Sequence, residues 1–393
     1  MKIKFSERFF CPAPWTMMYY HINNTTPCHI IRNNPSLGPT EYLKSEWLNN
    51  IKQDFVNGVV PESCTGCKSR ENLGLKSTRG SMWNYFNTDN EPEMDISQYT
   101  VEKLTEPSRI EIRSSNLCNF KCRMCGEHSS SEIAKEKQNF SIPIYLNGKK
   151  MESSICQSPQ SHIQELKNIC FNDNLNKVVF TGGEPLLIKE YYDFMDFLIE
   201  NNLNEKIVIQ LYTNCSVYNE LFVDRLLKFK CVEFIMSIDG VKKTAEYQRH
   251  GTKWDSVREN IFKFNSLPVD VWYNVAISTY VLLDVSSLAN FLMELYTANP
   301  RIQTKCYSVL PNQLLHHRYM NSKLRKIAIK EIDQAITILT PSNFKILVAE
   351  LQHTKENLLN IPPEDSYSFV NFTNDLDAKR NESFKDVFGY EIT

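Results

Sequence analysis

Six short β-rich runs alternate with amphipathic helical patterns between residues 105 and 310, and few folds accept that order. The runs are RIEIRSS (109–115), NKVVFTGG (176–183), EKIVIQLYTN (205–214), CVEFIMSIDG (231–240), VDVWYNVAIST (269–279) and TKCYSVL (304–310). Between them, Leu187, Tyr191, Phe194, Met195 and Leu198 fall on one helical face. Val217, Leu221, Phe222, Arg225 and Leu226 follow the same period, with Ser216 expected as the N-cap. Trp254, Val257, Ile261 and Phe264 repeat it once more. Strand–helix alternation implies an α/β fold with a parallel sheet. Six units predict a barrel or partial barrel, with chemistry at the carboxyl ends of the strands.

The flanks have a different texture. The first ninety residues hold Cys11, Cys28, Cys64 and Cys67 among turn formers, which predicts a small, loop-rich, metal-stapled domain. NTDNEPEMDISQ (88–98) reads as a polar linker. The link between the first two strand runs includes an expected hairpin over 139–156, with Asn-Gly at its tip. Beyond 310, helical patterns dominate at 323–339 and 344–359, and the final polar, aromatic-spotted stretch fixes no element. The expected units are 1–100, the barrel over 105–310, and a helical extension over 311–393.

The cysteines need a compartment. The first residues lack the apolar run of a signal peptide, and no stretch approaches the length of a membrane helix. The chain is expected to be soluble and cytoplasmic. Its twelve cysteines are then free, metal-bound or catalytic rather than disulfide-bonded. With 44 basic and 46 acidic side chains, no broad basic field signals nucleic acid.

Cys118, Cys122 and Cys125 stand together as C-x3-C-x2-C just after the first strand run. Thiolates are the natural ligands of iron–sulfur clusters. Three of them fill three iron corners of a cube-shaped cluster and leave the fourth open, as a reactive site requires. The alternative is a zinc site completed by His128.

Motifs at the later strand ends bear on that choice: TGGEP (181–185), YTNCS (212–216), MSIDG (236–240) and YQRHG (247–251). Gly182 and Gly183 allow close backbone approach, and Glu184 can accept from an ammonium group. Ser237 and Asp239 stand two apart, so their side chains share a sheet face. With the three cysteines, these motifs resemble the radical SAM superfamily over roughly 105–300. The resemblance implies a partial (β/α)6 barrel in which S-adenosylmethionine chelates the open iron of a [4Fe–4S] cluster. One electron then yields a 5′-deoxyadenosyl radical that abstracts hydrogen from substrate. It places Gly182, Gly183 and Glu184 at the methionyl amino group, and Asn214, Ser237 and Asp239 near ribose or substrate. Arg249 is the expected partner of the methionyl carboxylate. The sequence departs from the pattern at Met124, where an aromatic contact to adenine is usual, and at Cys215, where TNG has glycine.

Cys64 and Cys67 form CTGC, a metal-ligand spacing, and Cys11 and Cys28 flank a hairpin-like interior. Their order resembles the Twitch/SPASM auxiliary-cluster domain, here ahead of the barrel. The resemblance implies a second, closed [4Fe–4S] cluster that accepts an electron, relays one or simply folds its domain. A structural zinc ribbon is the alternative. His21, His29 and Tyr19 or Tyr20 lie within this segment, where packing roles are expected and lining of a substrate path is the alternative. Cys170, Cys231 and Cys306 read as small core residues. Cys215 and Cys156 are candidate hydrogen donors or thioether partners, and Asp239 joins Cys215 as a candidate catalytic residue.

The expected activity is radical SAM chemistry on a peptide or protein, supplied with electrons by a flavodoxin or ferredoxin type of donor. A sugar or nucleotide substrate is the alternative within enzymes. A zinc-stapled binding protein is the alternative outside them.

Overall fold

The computed structural model describes residues 1–31, 34–72, 77–86, 93–146, 149–309 and 313–393. Its centre is an eight-stranded sheet. In chain order the strands are β1 (Met17–His21), β2 (Asn24–Thr26), β3 (Arg109–Arg113), β4 (Lys177–Phe180), β5 (Val208–Thr213), β6 (Cys231–Ser237), β7 (Asp270–Ile277) and β8 (Gln303–Ser308). The spatial order is β8-β7-β6-β5-β4-β3-β1-β2. Strands β3 to β8 pair in parallel and in sequence order. All six expected runs are strands, and their carboxyl ends come to one edge.

The alternation works because strands such as β4 and β6 bury apolar side chains (Val178, Val179 and Phe180; Val232, Phe234, Ile235 and Met236) and crossover helices bury one face against them. In the helix Lys189–Glu200, Tyr191, Phe194, Met195 and Leu198 are buried. In Trp254–Asn265 the buried stripe is Trp254, Val257, Ile261 and Phe264. The helix after β5 differs from expectation. It runs Glu220–Leu226 and is capped by Asn219, whose side chain accepts from Phe222 N–H. Ser216 is not the cap, because its hydroxyl bonds to Asn119. The buried face is Phe222, Val223 and Leu226, and Leu221 is 65% exposed. Cys170 is fully buried, Cys306 is half-buried and packs against the main core, and Cys231 is half-buried with its Sγ 3.8 Å from Asp270 Oδ2.

The first hundred residues do two things. They have an apolar cluster of their own, including Phe9, Phe10, Trp15, Ile51, Phe55, Trp83 and Tyr99. Arg79 ties it together, pairing with Glu71 at 2.7 Å, donating to Phe10 O at 3.2 Å and lying 3.7 Å from the Phe5 ring centre. The same segment also lengthens the barrel sheet. Strand β1 pairs in parallel with β3, Tyr20 opposite Ile112 and His21 opposite Arg113, and β2 folds back antiparallel on β1.

The excursion over 139–156 forms a short antiparallel ribbon, Tyr145–Leu146 with Lys149–Lys150, and its Asn-Gly tip lies outside the described residues. Much of the expected linker, 88–92, also lies outside them; its remainder includes Glu93–Asp95, which pairs with Lys2–Lys4. After β8 come the helices Ser322–Leu339, Lys345–Asn360 and Ser366–Arg380. The last of these lies in the stretch whose sequence fixed no element. Among the described residues no helix is long and apolar enough to cross a membrane.

Candidate active site

The chain leaves β3 and crosses the carboxyl edge of the sheet as the loop 114–126. Asn116 closes this loop. Its amide donates to Glu127 O at 2.9 Å and Ser154 O at 3.0 Å, and its carbonyl accepts from Cys156 N–H at 2.8 Å. Lys121–Cys122 then pairs antiparallel with Arg249–His250, with Arg249 opposite Cys122. Cys118 and Cys122 are buried, and Cys125 is exposed. Burial pushes the Cys118 thiol up to about 12. A hydrogen bond between Cys122 and Cys125 raises the first thiol and lowers the second. The Arg249 guanidinium, with Nη1 3.9 Å from Cys122 Sγ, favours the thiolate at all three. Metal binding at such thiols releases protons.

The end of β4 lies directly on this loop. Gly183 N–H donates to Ser115 O at 3.1 Å and Glu184 N–H to Leu117 O at 2.7 Å. A Cβ on Gly183 would stand 2.0 Å from Leu117 O. Gly182 has φ +131°, and a Cβ there would meet Ser115 O at 2.7 Å. Both positions therefore require glycine. Glu184 is fully buried and stands behind the glycines. Its carboxylate accepts from Thr213 Oγ1 at 2.7 Å, Asn214 N–H at 2.7 Å and Leu186 N–H at 3.2 Å, joining the ends of β4 and β5. Burial outweighs these donors and lifts the carboxyl to about 7.

At the end of β5, Asn214 Nδ2 donates to Asn119 Oδ1 at 3.2 Å and lies 3.8 Å from Cys118 Sγ. Cys215 takes the left-handed conformation, φ 61°, at the position where glycine would be at ease. Its thiol is fully buried in the main core. At the end of β6, Asp239 is buried; Oδ1 accepts from Ala276 N–H at 2.7 Å, and Oδ2 lies 2.5 Å from Arg249 Nη2. Arg249 is thus held between a carboxylate and a thiol.

These ends surround a cavity of about 890 Å³. Cys118, Cys122, Met124, Cys125, Gly182, Gly183, Asn214, Ser237 and Arg249 line it; Glu184, Asp239, Cys215 and Cys156 do not. Cys156 is buried in the excursion, its Sγ 3.3 Å from Met151 Sδ. The far wall belongs to the first hundred residues. Tyr19, His21 and His29 line the cavity rather than the apolar core, whereas Tyr20 is fully buried, with its hydroxyl 3.1 Å from His162 Nδ1. Burial, reinforced by the Arg113 charge, lowers His21 to about 3, so this ring is neutral near pH 7. His29 and His128 are also lowered by burial.

Sequence reasoning missed Arg109, Glu111 and Arg113, which line the same cavity from β3. The signal was present: they alternate with the buried Ile110 and Ile112, so a period of two puts all three on one face. Arg109 pairs with Glu111 at 3.2 Å, and Arg113 donates to Ser129 Oγ at 3.2 Å.

Cys11, Cys28, Cys64 and Cys67 surround a second cavity of about 30 Å³, and Cys28 also borders the large one. Burial raises Cys28 to about 11 and Cys64 to about 12, and raises Cys11 and Cys67 as well. Among the described residues no three His, Cys, Asp or Glu side chains are placed to hold one metal ion, His128 with the three-cysteine loop included.

Residues 112–287 match the family model described as the radical SAM superfamily. An uncharacterised protein of Methanocaldococcus jannaschii is 26% identical over 132 residues, 33% of this chain and 38% of that protein. The chain therefore matches well under half the length of this curated relative. Among solved structures, anSMEcpe with bound AdoMet and Kp18Cys peptide is 18% identical, with 57% of this chain and 59% of that chain covered, at a TM-score of 0.41. Streptococcus suis SuiB bound to precursor peptide SuiA is 15% identical, with 72% and 61% covered, at 0.40. In these two cases the chain spans about three fifths of the solved protein.

Proposed function

We propose that this chain, whose residues 112–287 are a radical SAM enzyme domain, holds a [4Fe–4S] cluster on Cys118, Cys122 and Cys125 and modifies a peptide or protein. One observation carries the reading: three thiols from one loop, two glycines without room for a side chain, and Asn214, Ser237 and Arg249 all border one cavity. The donor set fits the group, since three thiols leave one corner of a cube for S-adenosylmethionine.

When bound, the cluster and S-adenosylmethionine supply a 5′-deoxyadenosyl radical for hydrogen abstraction. The chain's own residues prepare that site. Arg249 favours thiolate at the three cysteines and keeps its own charge through Asp239. Gly182 and Gly183 bring backbone to the cavity wall beside the loop. Glu184 works one layer behind, fixing the ends of β4 and β5 so that Gly183 and Asn214 keep their spacing. Met124 borders the cofactor end. Tyr19, His21 and His29 form the opposite wall, where substrate would lie.

We assign a second cluster, of [4Fe–4S] type, to Cys11, Cys28, Cys64 and Cys67, on the support of their common small cavity. The peptide or protein substrate rests on the likeness of this cysteine set to auxiliary-cluster domains and on a cavity that reaches from one thiol set to the other. Electrons would come from an external flavodoxin or ferredoxin type of donor.

Anaerobic reconstitution followed by iron, sulfide and zinc analysis tests the reading. About eight irons per chain are expected, and about four for Cys64→Ala. Zinc without iron would sink it. A separate variant addresses the candidate thiol behind the wall. Cys215→Ala is expected to leave 5′-deoxyadenosine formation and product yield unchanged, because Cys215 does not border the cavity. A loss of product of about tenfold or more, ~1.4 kcal/mol at the barrier, with 5′-deoxyadenosine intact, would put the thiol in the chemistry.

A further inference from the structure

The helix Ser366–Arg380 and the two residues after it reach across to the three-cysteine loop. Arg123, the residue after Cys122, has a fully buried side chain. Its Nη2 lies 2.5 Å from Asp377 Oδ1 and 2.5 Å from Glu382 Oε2, and its Nε donates to Tyr247 O at 2.9 Å. The guanidinium carbon stands 3.6 Å from the Tyr247 ring centre. Asp377 is itself fixed, accepting from Tyr247 Oη at 2.9 Å and Phe384 N–H at 2.8 Å.

The same segment holds the other side of the ribbon. Glu382 Oε1 lies 2.7 Å from His250 Nδ1. Arg380 donates to Lys121 O at 2.8 Å and pairs with Glu136 at 2.8 Å, and Glu136 in turn accepts from Lys121 Nζ at 2.9 Å. Lys121–Cys122 and Arg249–His250 are therefore both fastened from residues 377–382. This ribbon sets the approach of Arg249 to Cys122, 3.9 Å between Nη1 and Sγ.

We propose that Asp377 and Glu382 are positioning residues for the cofactor site, acting through Arg123 and His250 to fix the ribbon that carries Cys122 and Arg249. The proposal rests on the reading of Cys118, Cys122 and Cys125 as cluster ligands. Two physical effects follow. A buried guanidinium that loses a carboxylate partner is not stable in place, so the loop between Cys122 and Cys125 shifts. Each carboxylate is also a fixed negative charge paired with Arg123, the residue next to Cys122, and its loss makes addition of an electron to the cluster easier.

The test uses the full chain, reconstituted anaerobically, as wild type, Glu382→Gln, Asp377→Asn and the remote control Glu294→Gln, whose carboxylate pairs with Arg258 on the surface. Electron paramagnetic resonance of the reduced samples is recorded with and without S-adenosylmethionine, together with a potentiometric titration and a thermal melt. The S-adenosylmethionine-responsive signal isolates the open cluster. In Glu382→Gln its g-values are expected to change and its potential to move to less negative values, with Glu294→Gln matching wild type. A lower melting temperature with wild-type g-values and potential would show a merely structural contact and overturn the proposal. Should Asp377→Asn fail to fold, Glu382→Gln decides alone, because its glutamine keeps an acceptor for His250 or Arg123. A wild-type chain that takes up no iron would overturn the parent reading instead.

Discussion

Cys122→Ala, reconstituted and reduced with dithionite, is expected to form no 5′-deoxyadenosine above a protein-free blank. Cys122 is the innermost of the three thiols and the one beside Arg249. Its backbone is paired in a ribbon, so alanine keeps the fold of the loop while removing the ligand. Among the described residues no cysteine outside the loop can replace it from the same end of the cavity. Cys215 and Cys156 stand behind the wall, and Cys28 borders the far end. Chromatographic quantification of the nucleoside checks this, and product at the wild-type rate would mean that the reactive cluster sits elsewhere.

Gly183→Ala is expected to be nearly as severe by a different route. The new methyl would stand 2.0 Å from Leu117 O and 2.4 Å from Leu117 C, both of them backbone. No rotamer relieves that overlap, so the end of β4 must part from the loop, breaking the bonds of Gly183 to Ser115 and Glu184 to Leu117. Overpacking of this kind costs about 1–3 kcal/mol or more. The three-cysteine site is expected to retain little iron, while the second set keeps about four irons per chain.

Much of this arrangement was legible in the sequence because it follows simple periods. The six barrel strands were readable from apolar runs bounded by turn residues, and their ends carried the glycines and polar groups that border the cavity. Strand β1 was not readable as part of the same sheet. MMYYH has no feature that names its partner, and parallel pairing to β3 bridges more than eighty residues of intervening chain. The helix Ser366–Arg380 escaped for another reason. Its buried positions Phe369, Thr373 and Asp377 keep the helical spacing, but two of the three are polar. Thr373 is satisfied by Tyr280 at 2.7 Å and Asp377 by Arg123, so the inward face has no apolar stripe to detect. The start of Glu220–Leu226 was misplaced because Ser216 and Asn219 are both good caps, and only the contact of Ser216 with Asn119 separates them.

The pairing of β1 with β3 has a mechanical consequence. Five consecutive residue pairs join them, from Met17 opposite Arg109 to His21 opposite Arg113. Cys28 follows β2, and Cys118 follows β3, with β1 paired to both, so one thiol of each set hangs from the same continuous lattice of backbone bonds. Such a lattice behaves as a fixed ruler: the span between its two ends cannot open or close without unzipping a strand. On the proposed reading, a substrate would then meet a slot of set length and be sorted by its own shape rather than by jaws that close around it.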